Sequence, residues 1–206
     1  TLDRLVYRFA CMTDTPTPGT RERLIAAMTD ALRRRGLHGM GLTELLAQAG
    51  APKGVLYHHF PGGKTELAVA AIDDVVARML RGLDTLLDSN PDPIEATRLW
   101  MAGATARLSE TGFESGCPLA TVALETTPDD VVLREALARA FATLRERIGQ
   151  ALERHGEPRA QAQGIAALIV ATYEGGLLQA RVAQSSEPIA QATQTLLSLL
   201  TSRANR

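Results

Sequence analysis

The sequence predicts an all-α protein in which a small three-helix unit of helix-turn-helix type precedes a larger helical domain, about nine helices in all. Three observations lead there. Apolar residues recur at 3.6-residue spacing through most of the chain. Turn-rich stretches such as "FPGGK", "DSNPDP", "ETGFESGC", "HGEP" and "QSSEP" punctuate that spacing at helix-length intervals. No period-2 alternation lasts long enough for a strand, which disfavours a winged variant with a β-hairpin.

Composition agrees. The chain has 206 residues, 45% apolar and 22% charged, and can bury a core without disulfides or metals. Residues 1–64 carry nine Lys or Arg against five Asp or Glu, whereas the remainder carries thirteen against eighteen. A basic front ahead of an acidic body suits one part that meets a polyanion and another with a different task. Two cysteines, Cys11 and Cys117, make no disulfide framework and fit a reducing, cytoplasmic setting. The charge-free apolar run near Ile165 to Tyr173 stops at Glu174, short of the roughly 18–20 residues that a membrane span requires. Residues 1–19, with the first Met at position 12, are expected to be a disordered or non-native leader.

The elements follow in order. Thr20 is a candidate N-cap for a helix with Leu24, Ile25, Met28, Ala31 and Leu32 on one face, stopped by Arg33-Arg34-Arg35-Gly36. A second helix fits 43–49, capped by Thr43 and broken at Gly50, and a third runs from Pro52, suited to a first turn, to about His59. A connector over about 65–88 carries Ile72, Val75, Val76, Met79, Leu80, Leu83 and Leu87. Further helices fit 93–110, 118–125, 129–155, 159–183 and 186–202. Residues 20–64 are therefore read as one domain and 65–206 as a second.

Two short helices around a Gly-containing turn have the spacing of a helix-turn-helix, whose second helix enters the DNA major groove. Both lysines of the chain, Lys53 and Lys64, flank this segment, beside twenty arginines placed elsewhere. Lys53 stands in the first turn of the recognition helix, and Lys64 opens the next helix, where backbone N–H groups favour anions.

The stretch "TELLAQAGAPKGVLYHHFPGGKTEL" resembles the signature of TetR-type transcriptional repressors, and "GGK" with "ESGCPLATVALE" is similar to the LmrA/YxaF branch of that family. The resemblance implies a DNA-binding domain joined through the fourth helix to a ligand-binding and dimerisation domain. It implies that Tyr57, His59 and Lys64 hold the phosphate backbone with Thr43, and that Lys53, Gly54, Val55 and His58 face bases. Pro52 and Val55 stand where family members often carry Ser and Thr, so two hydroxyls are lost; Val55 is left to touch a thymine methyl.

Phe60 shares a face with Leu56 and reads as core. Adjacent His58 and His59 diverge by about 100° on a helix and cannot converge on one metal. The Arg33–Arg35 run reads as a solvated helix end. Cys117 with His155 lacks a third orienting group, so no catalytic residue, metal or cofactor is expected.

Helix 159–183 is apolar all round, and its Gly175-Gly176 pair suggests close approach of a backbone at an interface. Ile169, Tyr173 and Gly176 with Ile189, Thr193, Leu196, Leu197 and Leu200 are therefore expected to form a four-helix dimer interface. Trp100, Met101, Phe113, Phe141, Tyr173 and Glu174 are the ligand-pocket candidates, with Glu174 also readable as internally paired.

The function expected is a homodimeric repressor of a palindromic double-stranded DNA operator, released by a small, apolar, aromatic molecule. A shift of the connector helix around Val76–Leu87 would swing residues 20–60 off the operator. A constitutive architectural DNA-binder, told apart by the absence of sequence preference, and an all-α enzyme, told apart by turnover, are the alternatives.

Overall fold

The computed structural model describes residues 19–204, all-helical throughout, with no strand among them. Most of the expected leader, with Cys11, lies outside the described residues. The helices are α1 (Thr20–Arg34), α2 (Leu42–Ala49), α3 (Lys53–His59), α4 (Gly63–Ser89), α5 (Pro93–Glu110), α6 (Pro118–Glu125), α7 (Val131–Arg154), α8 (Arg159–Ala183) and α9 (Glu187–Ala204).

Helix starts differ from the expected caps by one or two residues. Gly19 and Gly41, not Thr20 and Thr43, occupy the cap positions of α1 and α2, and neither threonine caps through its side chain. Pro52 is itself the cap of α3, in extended conformation. Asp92 does cap α5, accepting from the N–H of Ile94 at 2.8 Å.

Helices α1 to α3 close around Leu24, Met28, Leu32, Leu45, Leu56 and Phe60, all fully buried or nearly so. The expected core role of Phe60 holds, and the Arg21 guanidinium lies 5.3 Å from its ring centre. The 27-residue α4 then runs from these helices, through Leu67 and Ile72, into the packing of α5 to α9, and the buried residues along the way form one continuous cluster.

Helix α8 is long and apolar enough, by length and composition, to cross a membrane, which the sequence reading, halted at Glu174, did not allow for. Its inward face is packed against α7, α9 and α5, and 44% of the apolar stretch is buried inside the fold.

That packing bears on the residues expected at the dimer interface. Ile169, Tyr173, Gly176, Ile189, Leu196 and Leu200 are all buried within the single chain. A Cβ built on Gly176 would fall 2.8 Å from the Cγ1 of Ile189, so the close approach belongs to α8 against its own α9. Thr193 and Leu197, half-buried, face a groove against α5. What α8 leaves outside is a different stripe, with Leu168 at 49%, Leu178 at 46% and Val182 at 79% exposure.

Candidate functional site

The helix-turn-helix is braced before it is functional. Arg23 on α1 donates from Nε to the carbonyl of Ala49 at 3.2 Å, tying the end of α2, and Gln48 donates to Asp30 at 3.2 Å. Arg35 pairs with Glu44 at 2.6 Å, while Arg34 pairs with Asp30 at 3.0 Å and reaches Glu114 at 2.9 Å. Within the basic run read as solvated, Arg34 and Arg35 are therefore exposed yet paired, and they stitch α1 to its neighbours.

On α3, Leu56 and the following Phe60 anchor the inward face, which turns Lys53, Gly54, Tyr57 and His58 outward. Tyr57 is 46% exposed, so its ring and hydroxyl are open to a partner on this face. Thr43 is exposed at the start of α2, and Val55 and His59 are half-buried at the edges of the same face. The His58 and His59 rings meet edge to face at 5.0 Å, and no group of three or more metal-binding side chains gathers among the described residues.

Lys64 behaves differently from expectation. Its Nζ donates to the carbonyls of Leu37 and Met40 at 2.5 and 2.6 Å, closing the loop between α1 and α2 from below. Partial burial pulls its pKa below the ordinary lysine value, with the Glu125 carboxylate opposing. Two of its three N–H donors are thus spent inside the protein, and its first role is to staple this loop.

The same loop meets the second domain. Leu37 N–H donates to Oε2 of Glu125 on α6 at 2.5 Å, and Gly36 sits beneath it at φ +76°. A Cβ at residue 36 would fall 1.8 Å from the other Glu125 oxygen, so only glycine fits. Gly116 N–H donates to the carbonyl of Arg33 at 3.1 Å, and Arg181 of α8 donates to the carbonyl of Arg34 at 3.0 Å. Sequence reasoning missed this junction, because its partners lie far apart in the chain and three of the ties use backbone groups.

The ligand-pocket candidates separate into three places. Trp100 and Tyr173 stack at 4.3 Å and 18° in the core, both buried, filling their own space. Met101 is buried at the floor of an open groove of about 860 Å³ between α5 and α9, with its sulfur 3.8 Å from the Thr193 hydroxyl. Phe113, at a positive φ of 62°, and Phe141 pack on the core without lining either cavity.

Glu174 lies in the third place, a pocket of about 230 Å³ between α6 and α8. The Sγ of Cys117, cap of α6, donates to its Oε1 at 3.2 Å, whereas its Oε2 is enclosed with no partner. Desolvation, only partly offset by the thiol, pushes the Glu174 carboxyl up to about 7. Burial first, and then the carboxylate beside it, push the Cys117 thiol well above its ordinary value, so it stays protonated and a poor nucleophile. Burial likewise raises the Tyr173 phenol.

Comparison with known proteins matches both halves. Residues 24–71 match the family described as bacterial regulatory proteins, tetR family, and residues 93–195 match the transcriptional regulator LmrA/YxaF-like C-terminal domain. The chain is 29% identical to the HTH-type transcriptional regulator LmrA of Bacillus subtilis over 88% of this chain and 96% of that protein. It is 32% identical to the uncharacterized HTH-type transcriptional regulator Rv0196 of Mycobacterium tuberculosis over 88% and 94%. Among solved structures, a regulatory protein TetR from Rhodobacter sphaeroides superposes with a TM-score of 0.77 at 27% identity, covering 87% of this chain and 97% of that one. The reduced form of Escherichia coli NemR gives 0.72 at 30% identity, covering 86% and 94%. With a braced helix-turn-helix at one end and a matching helical domain at the other, the chain belongs to the TetR family of DNA-binding transcriptional regulators, with a C-terminal domain of the LmrA/YxaF type.

Proposed function

We propose that this regulator is a repressor that binds a palindromic operator as a homodimer and leaves it when a small molecule occupies the second domain. The observation that carries the reading is the outward face of α3, where Lys53, Gly54, Tyr57 and His58 stand exposed on a support pinned to α1. Backbone positioning falls to Tyr57, His59 and Thr43, and base contact to Lys53, Gly54, Val55 and His58. Lys64 contributes through the loop it holds and through its one remaining donor.

Dimerisation has support in the apolar stripe of α8. Gly164, Leu168, Ala171, Gly175, Leu178 and Val182 alternate at steps of four and three, a seam of the kind that packs helix on helix, and none of them is fully buried by the chain itself. Leu199 of α9 is exposed as well. A twofold axis through that seam would set two α3 helices against half-sites about 34–36 Å apart, or a multiple of that. The reading puts the protein in the cytoplasm and gives it no catalytic step.

The test is a gel shift with DNA from upstream of the protein's own coding sequence, with and without a library of aromatic compounds. Specific retardation lost on addition of a compound supports the reading. Binding that shows no preference over random DNA refutes it.

A further inference from the structure

We propose that the pocket between α6 and α8 is a binding site for a small organic ammonium ion with a short apolar body, its charged head held by Glu174. This deepens the reading above and rests on it only for the consequence on DNA. The enclosed, unpartnered Oε2 of Glu174 is the first observation: a carboxylate oxygen shut away from water without a donor is costly, and a ligand N–H is what would relieve it. The second is the polarity of the rest of the lining. Glu125 adds a second carboxylate, with one oxygen held by the Leu37 N–H, and the one cation in the lining, Arg181, gives one of its five donors to the carbonyl of Arg34. With Glu174 ionised, two acids against one guanidinium leave the lining net acidic, which disfavours an anion. Ala120, Leu124, Leu177 and Leu178 supply apolar walls, and about 230 Å³ leaves room for a short hydrocarbon rather than for a large drug.

The charged and titratable groups around the carboxyl are few. Cys117 from the cap of α6 and Tyr173 on α8 remain protonated, Arg107 from α5 lies against the Tyr173 hydroxyl, and Arg181 and Glu125 line the pocket itself. Glu174 is therefore the group that changes charge near neutrality. An alkylammonium stays protonated there, as lysine does. Only the ionised carboxylate can pair with it, so affinity should rise about tenfold between pH 6 and pH 8.

The pocket also adjoins the junction described above. Gly116, Glu125 and Arg181 line it, and the same three residues hold Arg33, Leu37 and Arg34. An occupant that draws on Glu125 or displaces Arg181 loosens the grip on the end of α1.

Isothermal titration calorimetry on the DNA-free full chain, with hexylammonium, 1-hexanol and hexanoate as probes, tests the site. Hexylammonium should bind, hexanol at least tenfold more weakly and hexanoate not at all. Glu174→Gln, an isostere, should cost hexylammonium tenfold or more, and Ala120→Leu, which fills the pocket, should abolish binding. Equal binding of hexanoate, or undiminished hexylammonium binding by Glu174→Gln, overturns the proposal. A gel shift separates it from the reading it deepens. If hexylammonium binds through Glu174 yet leaves operator affinity unchanged, the site stands and release through it falls. If an aromatic compound releases operator from wild type and Glu174→Gln alike while neither binds hexylammonium, the ammonium site falls and ligand release stands.

Discussion

Replacing Lys64 with Met keeps the aliphatic stem and removes the ammonium, so it isolates what the charge does. The two carbonyls it serves, Leu37 and Met40, lie in a partly buried loop and would lose charged donors at 2.5 and 2.6 Å. A hydrogen bond to a charged group contributes about 1.5–3 kcal/mol, but water can replace part of each at a half-exposed site. About 2 kcal/mol is a fair sum for the pair. In a chain of this size each kcal/mol moves Tm by roughly 2–4 °C, so the variant should melt about 4–8 °C lower. Thermal melting followed by far-UV circular dichroism reads this directly, and hydrogen exchange should place the lost protection at residues 36–41. A phosphate anchor behaves otherwise, because its loss leaves Tm in place and lowers the slope of log affinity against log salt by about one. Should Lys64→Met melt within about 1 °C of wild type while the salt slope drops by that amount, the staple role is refuted.

Three further outcomes are expected. Lys53→Ala, at an exposed position on α3, should leave Tm unchanged and alter operator preference, as measured by fluorescence anisotropy over a set of operator variants. Leu168→Glu with Leu178→Glu should give a folded monomer by light scattering, whereas charges at the buried Leu196 and Leu200 should unfold the subunit. For Glu174 the folded carboxyl at about 7 lies above the ordinary 4.5, so its stabilising effect is complete below the lower value and is lost as pH rises through the upper one. Glu174→Gln should therefore be more stable than wild type by about 3 kcal/mol at pH 8, with the gain falling below about 1 kcal/mol by pH 5 in urea titrations.

How much of this the sequence held depends on the range of each interaction. Helix positions were legible because periodicity and turn residues are local, and Leu56 with Phe60 gave away the inward face of α3 by spacing alone. Spacing alone could not divide the surface of α8 between its own chain and a partner, because α8 is apolar on nearly every side. Spacing shows that such a helix is covered all round, but not which face its own chain covers. Ile169 and Leu168 are neighbours in sequence, and only packing against α7 and α9 makes one core and the other surface. The loop contacts of Lys64 were missed for a related reason: a lysine at a helix start is legible as an anion site, while two carbonyls in a loop more than twenty residues earlier leave no side-chain signature.

The junction at the end of α1 changes what a release mechanism must do. A lever made of α4 alone would let the helix-turn-helix swing about one attachment. The structure gives it two, since the carbonyls of Arg33 and Arg34 and the N–H of Leu37 are gripped by Gly116, Arg181 and Glu125. Any rotation of α3 must therefore move α6 and the end of α8 together with α4, or break the grip. Net contributions of about 1 kcal/mol for the neutral bond and 1.5–3 for each bond to a charged group put the grip at roughly 4–7 kcal/mol. Reversing an equilibrium from 1:99 to 99:1 takes about 5.5 kcal/mol. The two magnitudes are comparable, so under the proposed release a ligand that spends its binding energy on α6 would exchange one arrangement for the other, while one that merely fills the α5–α9 groove would have no such contact to trade. Helix α6 suits that part: it is eight residues long, begins at Pro118, and exposes Leu124 on its outer side, so less packing resists its displacement than resists that of α4 or α7.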